Sequence, residues 1–159
     1  MKALTIPGKL EFLPSVAEYV LQAATIAGLD YKTSYRLRLA VDEIATNIII
    51  HGYHDQKTTG TIKMFAEVDD EYLTIYLEDD GTNYDPSEAL PPDNIQGPAE
   101  ERQVGGLGIF LALWGVDQFH YKQMHCGNCS TFKVNRKRRY RRSMTAAPAR
   151  THGDMQQAR

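Results

Sequence analysis

Two segments in the first third of the chain carry apolar residues at helical spacing. In the first, the spacing continues until Gly28 and Ser15–Glu18 resembles a capping box, which predicts a helix that begins near these residues and stops at the glycine. In the second, the spacing predicts a helix from about Lys32 to Ile50. The apolar positions of the two segments are Val16, Tyr19, Val20, Ala23, Ile26, Leu37, Val41, Ile44 and Ile48.

Alternating apolar and polar residues then predict β-strands. Residues 61–68 and 72–78 alternate on either side of Asp69-Asp70-Glu71, which indicates an antiparallel hairpin with one buried face. Two further strands are expected near 118–123 and 130–135. The hairpin positions expected to be buried are Ile62, Met64, Ala66, Val68, Leu73, Ile75 and Leu77. Helices segregated from mostly antiparallel strands predict an α+β fold, a two-layer sandwich.

Length and charge divide the chain into a folded body and a tail. A chain of 159 residues with 42% hydrophobic content suits one domain, which we place at residues 1–135. This body carries 19 acidic against 10 basic residues, which argues against direct binding of nucleic acid. Residues 136–159 carry 8 basic residues and one acidic, and we expect a disordered, solvated tail, with binding to an anionic surface as the alternative.

The N-terminal residues contain no signal-peptide hydrophobic region, and no run of about eighteen apolar residues exists. A soluble, cytoplasmic protein without a membrane partner is therefore expected. Cys126 and Cys129, with His120 and His125 nearby, allow a zinc cluster. Structural zinc usually takes two separated ligand pairs, so a β-hairpin with two incidental cysteines beside its turn is favoured.

Glu43 and Asn47 lie four residues apart beside the apolar stripe of the second predicted helix. Their side chains therefore project from one face, where a carboxylate and an amide oxygen could serve a nucleotide and its metal ion. Mg²⁺ prefers such oxygen ligands, so Asn47 is the candidate metal ligand. Glu43, one turn earlier, could accept a proton from a group that attacks a phosphate. An ordinary amphipathic helix with a solvated edge would show the same pattern.

Asp79 and Gly81 follow the predicted hairpin directly. A carboxylate at the end of a strand can accept from an exocyclic amine such as that of adenine, and the glycine leaves room for a flat ligand. A plain Asp-Gly turn is the alternative. Tyr84-Asp85-Pro86 then leads into a long aperiodic segment that ends at Val104, and loops of that length are usually functional or disordered.

Three glycines, at 105, 106 and 108, precede a short apolar segment that is expected to be helical. Backbone N–H groups freed of side chains can converge on phosphate oxygens at a helix start. Helix packing or a hinge would explain the glycines equally well. The chain lacks the Gly-x-x-x-x-Gly-Lys-Ser/Thr pattern, so any phosphate site here is not a P-loop.

Together the three segments resemble the ATP-binding superfamily of gyrase, heat-shock chaperones, histidine kinases and MutL. Glu43–Asn47 is similar to its N-box, Asp79–Pro86 to its first glycine box and Gly105–Ile109 to its second. Within that superfamily the small size, the Tyr-Asp-Pro after the first box and the Gly-Gly-Leu-Gly-Ile form resemble the anti-sigma-factor serine kinases. The resemblance covers roughly residues 5–135.

The resemblance implies a Bergerat-type sandwich that binds ATP and Mg²⁺. Asp79 would meet adenine, Asn47 would bind Mg²⁺, Glu43 would act as general base and residues 87–104 would form the ATP lid. The remaining residues that it places at the nucleotide are Gly81, Tyr84, Gly105, Gly106, Leu107, Gly108, Ile109 and Thr131. Such kinases phosphorylate a serine or threonine of a small STAS-type antagonist protein and bind a sigma factor, usually as homodimers.

Two departures and two alternatives accompany this resemblance. Asn83-Tyr84 stands where relatives often have Pro-Phe, which affects the hinge of the lid, and the basic tail has no obvious family counterpart. A nucleotide-gated binding module without kinase activity is one alternative, although retention of Glu43 favours an enzyme. A switch kinase that acts on a larger signalling scaffold is the other.

Overall fold

The computed structural model describes residues 1–82 and 113–137. Within these ranges a five-stranded sheet carries a helical layer on one face. In chain order the elements are β1 Leu4–Pro7, a 3₁₀ turn Leu10–Phe12, α1 Leu13–Ala27, α2 Tyr31–Asn47, a π-helix Ile48–His54, β2 Thr61–Val68, β3 Tyr72–Asp79, β4 Gln118–Gln123 and β5 Asn128–Asn135.

The strands lie in the order β1-β2-β3-β5-β4, and every neighbouring pair is antiparallel. β3 is central, and its last residue Asp79 pairs with Ile62 of β2 and with Asn128 of β5. Two helices packed on an antiparallel sheet confirm the predicted α+β sandwich.

The core lies between the helices and one face of the sheet. Its largest fully buried side chains come from both layers: Val16, Val20, Leu37, Val41, Ile44, Ile62, Met64, Leu73, Ile75, Leu77, Phe132 and Val134. Each of these apolar side chains contributes about 1.5–3 kcal/mol through removal from water. This packing fixes α2 over the central strands, and it thereby sets the distance between α2 and the end of β3.

The capping box predicted at Ser15–Glu18 is wrong. α1 begins at Leu13, its N-cap Phe12 makes no side-chain hydrogen bond, and Pro14 occupies the first turn. Proline suits a first turn because its missing N–H would have no partner there, and this allows the helix to start before Ser15. The predicted stop is confirmed, since Gly28 is left-handed with φ of 73°.

The second helix differs from the predicted span at both ends. α2 starts at Tyr31, because the Asp30 carboxylate accepts a hydrogen bond from the Thr33 N–H at 2.8 Å and caps the helix. After Asn47 the chain continues as the π-helix rather than ending near Ile50. A π-helical turn inserts one residue relative to an α-helix and often occurs at functional sites.

The predicted hairpin and the two later strands are confirmed, with small changes of extent. β3 continues through Asp79, and β5 begins at Asn128, two residues earlier than expected. Val68, expected to be buried, is 41% exposed at the open end of the hairpin. The short edge strand β1 was not predicted from the sequence.

The cysteines lie at the β4–β5 hairpin, as favoured from the sequence. Met124 N–H donates to Gly127 O at 2.9 Å across the turn, and Cys126 and Cys129 are both free thiols. In residues 1–82 and 113–137, no group of three or more His, Cys, Asp or Glu side chains is placed to hold a metal ion. No helix in the same ranges is long and apolar enough to cross a membrane.

Candidate functional site

A narrow cleft lies where the helical layer meets the end of the sheet at which β3 finishes. One wall comes from consecutive turns of α2 and the π-helix, and the other from the strand ends. The cleft is lined by Ile44, Ile48, Gly52, Asp79, Thr82, Tyr121, Asn128 and Ser130. The wall from the helices is apolar, whereas the wall from the sheet carries a carboxylate, an amide and hydroxyls. The described residues enclose a volume of about 10 Å³.

Asp79 is the buried acid of this cleft, with only 6% of its surface exposed. Its Oδ1 accepts from Gly81 N–H at 2.9 Å and from Asn128 Nδ2 at 3.0 Å. Burial raises the pKa of the Asp79 carboxyl above its usual value, although these two hydrogen bonds oppose the rise and the nearby Asp80 adds to it. Among the hydrogen bonds that the described residues make to this carboxylate, both use Oδ1, so Oδ2 is the oxygen that could accept from a ligand.

Asp80, the next residue, faces away from the cleft and holds the strand end in place. Its Oδ1 accepts from Thr61 N–H at 2.9 Å and lies 2.9 Å from the Tyr53 hydroxyl. Burial alone would raise the pKa of Asp80, but these bonds outweigh it and lower the pKa below its usual value. Burial and the Asp80 hydrogen bond raise the pKa of the Tyr53 hydroxyl, which stays a donor. The π-helix, β2 and β3 are thus joined directly behind Asp79.

Two glycines allow the close packing around Asp79. At Gly81 an added Cβ would lie 3.0 Å from Asp79 Oδ1 and 3.4 Å from the Cα of Gly52, so a side chain would press on the carboxylate. At Gly127, where φ is +89°, an added Cβ would lie 1.9 Å from the carbonyl oxygen of Asp79. The β4–β5 turn can therefore lie against the end of β3 only with glycine at position 127.

Glu43 and Asn47 lie on α2, each directly before a residue that lines the cleft. Both are partly exposed, and Asn47 Nδ2 donates to the backbone oxygen of Glu43 at 2.7 Å. This bond uses the amide nitrogen and leaves Asn47 Oδ1 as the atom that could bind a cation. The predicted arrangement of both side chains beside the buried stripe of one helix is confirmed.

Thr131 does not belong to this cleft. It pairs with Tyr76 on the outer face of the sheet, whereas Asp79 and Asn128 lie on the inner face. Side chains alternate along a strand, so the hydroxyl that reaches the cleft is that of the neighbouring Ser130, which is 1% exposed. The structure therefore places Ser130, rather than Thr131, in the lining of the cleft.

Several predicted residues lie outside the described part of the chain. They are Tyr84, Gly105, Gly106, Leu107, Gly108, Ile109 and the expected lid at 87–104. Their proposed contacts with a nucleotide stay predictions.

Sequence reasoning missed Asn128, Tyr121 and Gly127. Asn128 Nδ2 contacts Asp79, and its Oδ1 accepts from the Tyr121 hydroxyl at 2.6 Å. The one signal in the sequence was the Gly-Asn pair between the cysteines, which indicates a turn but does not show that the turn meets β3.

Comparison with known proteins gives the family. A model of the histidine kinase-like ATPase domain matches residues 6–134. The chain is 28% identical over 123 residues to the serine-protein kinase RsbW of Halalkalibacterium halodurans, covering 76% of this chain and 74% of that protein. It is 28% identical to RsbW of Listeria innocua, covering 68% and 70% of the two chains, and 26% identical to RsbW of Bacillus licheniformis, covering 72% and 73%.

Among solved structures, the histidine kinase domain of the blue-light activated histidine kinase EL346 from Erythrobacter litoralis matches with a TM-score of 0.46 and 18% identity. This match covers 77% of the present chain and 60% of that chain. The family model, in contrast, spans most of the present sequence and includes both walls of the cleft. The chain therefore belongs to the histidine kinase-like ATPase domain family.

Proposed function

We propose that this protein is an ATP-dependent serine/threonine kinase that phosphorylates an antagonist protein of the STAS type and binds a sigma factor. The observation that carries the proposal is the cleft itself, in which a buried carboxylate from β3 faces the helix that bears Glu43 and Asn47. The similarity to proteins named serine-protein kinase RsbW supports the kinase activity and the partner-switching role.

The polar side chains at the cleft are of the types that bind adenine and Mg²⁺. Asp79 Oδ2 would accept a hydrogen bond from the exocyclic amine of adenine, while Oδ1 stays bonded within the protein. Asn47 Oδ1 is a neutral oxygen of the kind that Mg²⁺ accepts beside phosphates and water. When bound, ATP supplies the phosphoryl group and Mg²⁺ offsets its charge.

Glu43 is the proposed general base. Its carboxylate would accept the proton of the attacking serine or threonine hydroxyl, which makes the oxygen a better nucleophile. The new O–P bond would form as the bond from the γ-phosphorus to the bridging oxygen breaks and ADP leaves. Asn47 Nδ2 donates to the main-chain oxygen of Glu43, which orients the Asn47 amide relative to the helical turn that carries the proposed base. A nucleotide-binding module without catalysis would need Asn47 and Asp79 but no base.

The test is incubation of the full chain with γ-labelled ATP, Mg²⁺ and candidate antagonist proteins, beside the Glu43→Ala variant. We expect label on a serine or threonine of one antagonist and a loss of transfer of about a hundredfold or more in the variant, with ATP affinity nearly unchanged. The matched control is Glu71→Ala, which removes an exposed carboxylate at the β2–β3 turn, at the opposite end of β3 from Asp79.

Three outcomes would contradict the proposal. ATP binding with no label on any candidate would favour the nucleotide-gated binding module. Equal loss of activity in Glu71→Ala would show that the effect of Glu43→Ala is not local. Absence of ATP binding by the unmodified chain would overturn the assignment of the cleft to a nucleotide.

A further inference from the structure

Asn128 stands at the centre of a polar network that the proposed reaction has not used. It is the first residue of β5, is 2% exposed, and lies opposite Asp79 in the antiparallel register. Its Nδ2 lies 3.0 Å from Asp79 Oδ1, 3.2 Å from Gly81 O and 3.4 Å from Thr82 O. A buried amide with this many partners fixes the groups around it, because leaving any of them unpaired is costly.

The orientation of the amide is itself set by β4. Tyr121 donates its hydroxyl proton to Asn128 Oδ1 at 2.6 Å. An amide turned the other way would place its oxygen against the Asp79 carboxylate and its N–H₂ against the tyrosine. Tyr121 on β4 and Asn128 on β5 therefore act together to hold Oδ1 of Asp79 at the end of β3.

Asp79 Oδ1 receives two donors, Asn128 Nδ2 and Gly81 N–H, which match the two lone pairs of that oxygen. Within residues 1–82 and 113–137, no hydrogen bond to Oδ2 accompanies these two, and Oδ2 is the oxygen offered to a ligand. Adenine offers a single donor, its exocyclic amine, beside a ring acceptor, whereas guanine offers two adjacent donors that a carboxylate binds best with both oxygens.

We propose that Asn128 is a positioning residue that selects adenine over guanine by occupying Asp79 Oδ1 and presenting only Oδ2 to the base. This inference rests on the proposed nucleotide binding. The same amide holds the carbonyl groups of Gly81 and Thr82, so it also fixes the backbone that follows β3.

The first experiment compares the affinities of ATP and GTP, each with Mg²⁺, for the unmodified chain and for Asn128→Ala. Removing the amide frees one lone pair of Asp79 Oδ1, so we expect the preference for ATP over GTP to fall about tenfold, the effect of one charge-assisted hydrogen bond. The control is Asn135→Ala at the other end of β5, which is expected to keep the original preference.

The second experiment follows the carboxyl carbon of Asp79 by NMR during an acid titration of the protein without nucleotide. Loss of the Asn128 donor should move the titration of Asp79 to higher pH. The other titratable groups that surround this carboxyl are Asp80 on β3, Tyr53 on the π-helix, Cys129 on β5 and Tyr121 on β4. Of these only Asp80 is charged near neutral pH. Asp80 is present in the unmodified chain and in Asn128→Ala, so it does not account for a difference between their titrations.

Two further variants separate positioning from simple structural support. Asn128→Asp keeps the shape but sets a second carboxylate against Asp79, so ATP affinity should fall at neutral pH and recover partly in acid, where the pair shares a proton. Tyr121→Phe should change the ATP preference in the same direction as Asn128→Ala but less.

An unchanged preference for ATP over GTP in Asn128→Ala would overturn the inference, whether or not the titration of Asp79 moves, and would leave the proposed function standing. A lost preference and a shifted titration, with both absent from Asn135→Ala, would support it. If the unmodified chain binds neither nucleotide, the proposed function itself has failed and base selection fails with it.

Discussion

Ionisation of the Asp79 carboxyl is unfavourable for the stability of the fold but favourable for the binding of an amine. Its carboxylate is buried beside Asp80, which raises its pKa and makes the ionised form unfavourable in the folded protein. An ionised carboxylate is, however, the better acceptor for an amine. Residues kept at a cost to folding are typical of functional sites, because substitutions that relieve the cost usually impair function.

The variant Asp79→Asn should separate these two effects. Asn128 and Gly81 would still donate to Oδ1, so the new amide nitrogen would take the place of Oδ2 and set a donor against the amine of adenine. We expect ATP affinity to fall about tenfold or more, with a melting temperature equal to or above that of the unmodified chain. Calorimetry and thermal unfolding measure the two quantities, and Asp70→Asn at the exposed β2–β3 turn is the control. A parallel loss of affinity and stability would contradict this account.

The pKa of Asp79 also predicts a pH dependence. Because its pKa in the folded state is raised above the usual 3.8, the folded state binds the proton more tightly than the unfolded state does. The free energy of unfolding should therefore fall as pH rises through the interval between the two values, whereas ATP affinity should rise over the same interval. Denaturation and binding at a series of acidic pH values, with Asp79→Asn subtracted, give both slopes. If stability and ATP affinity depend on pH in the same way in the unmodified chain and in Asp79→Asn, Asp79 is not the group that causes the pH dependence.

Gly127 shows a purely steric requirement at the residue scale. Gly127→Ala combines a φ of +89° with a Cβ placed 1.9 Å from the Asp79 carbonyl oxygen, so we expect a loss of about 3 kcal/mol in the free energy of unfolding. Gly28→Ala is the matched control, since its φ is +73° but an added Cβ meets nothing within 4 Å. We expect Gly28→Ala to lose only about 1 kcal/mol in the free energy of unfolding. Urea denaturation measures both losses of stability. Similar losses in Gly127→Ala and Gly28→Ala would mean that glycine is required at 127 only by its positive φ and not by contact with β3.

At the element scale, the π-helix determines which residues of the segment after Asn47 face the sheet. It brings the Cα of Gly52 close to Gly81 and sets the Tyr53 hydroxyl 2.9 Å from both Thr61 O and Asp80 Oδ1. Periodicity alone predicted a regular helix through Ile50, since an inserted residue changes the register of a helix without any change in residue type. The position of this segment over the strand ends was thus decided by packing.

Tyr53→Phe tests the link between the π-helix and the sheet. Tyr53 is 2% exposed, and loss of its hydroxyl leaves Thr61 O and Asp80 with one donor fewer, so we expect the protein to lose about 1–2 kcal/mol of stability. The pKa of Asp80 should also rise toward its usual value, which moves acid unfolding to higher pH. The control, Tyr31→Phe, alters a ring that is 85% exposed and should be neutral in both measurements.

At the scale of the whole molecule, the contacts of Arg136 attach the start of the basic segment to the folded body. Arg136 follows β5, and its side chain donates to Ala27 O at 2.8 Å and to Asp69 O, at the ends of α1 and β2. Its backbone N–H donates to Glu71 O at 2.8 Å. These contacts tie the first basic residue after β5 to both layers of the sandwich, whereas residues 138–159 lie outside the described chain.

Truncation after residue 137 should therefore leave the melting temperature and the ATP affinity unchanged, within about 0.5 kcal/mol. Arg136→Ala in the full chain should lower stability by about 1 kcal/mol, because two backbone carbonyls lose their donor. Thermal unfolding of the two proteins distinguishes the contributions. A large loss of ATP affinity on truncation would show that the basic tail reaches the cleft.

The sequence by itself determined the layers, most of the elements and the residues on α2. Apolar spacing depends on the period of a helix or strand, so the sequence alone assigned Val41, Ile44, Leu73, Ile75 and Leu77 to the core. The same local reasoning set Glu43 and Asn47 on one helix and Asp79 at a strand end. The family resemblance added the order of the motifs, and it is borne out by the match over residues 6–134.

The tertiary structure alone decided which residues meet at the cleft. Asn128 lies 49 residues after Asp79, and only the pairing of β3 with β5 brings them together. That pairing also decides that Ser130, and not Thr131, faces the cleft, since a shift of one residue moves a side chain to the opposite face of a sheet. Local periodicity gives the spacing of residues along an element, but the register between distant strands is set by the packing of the whole core.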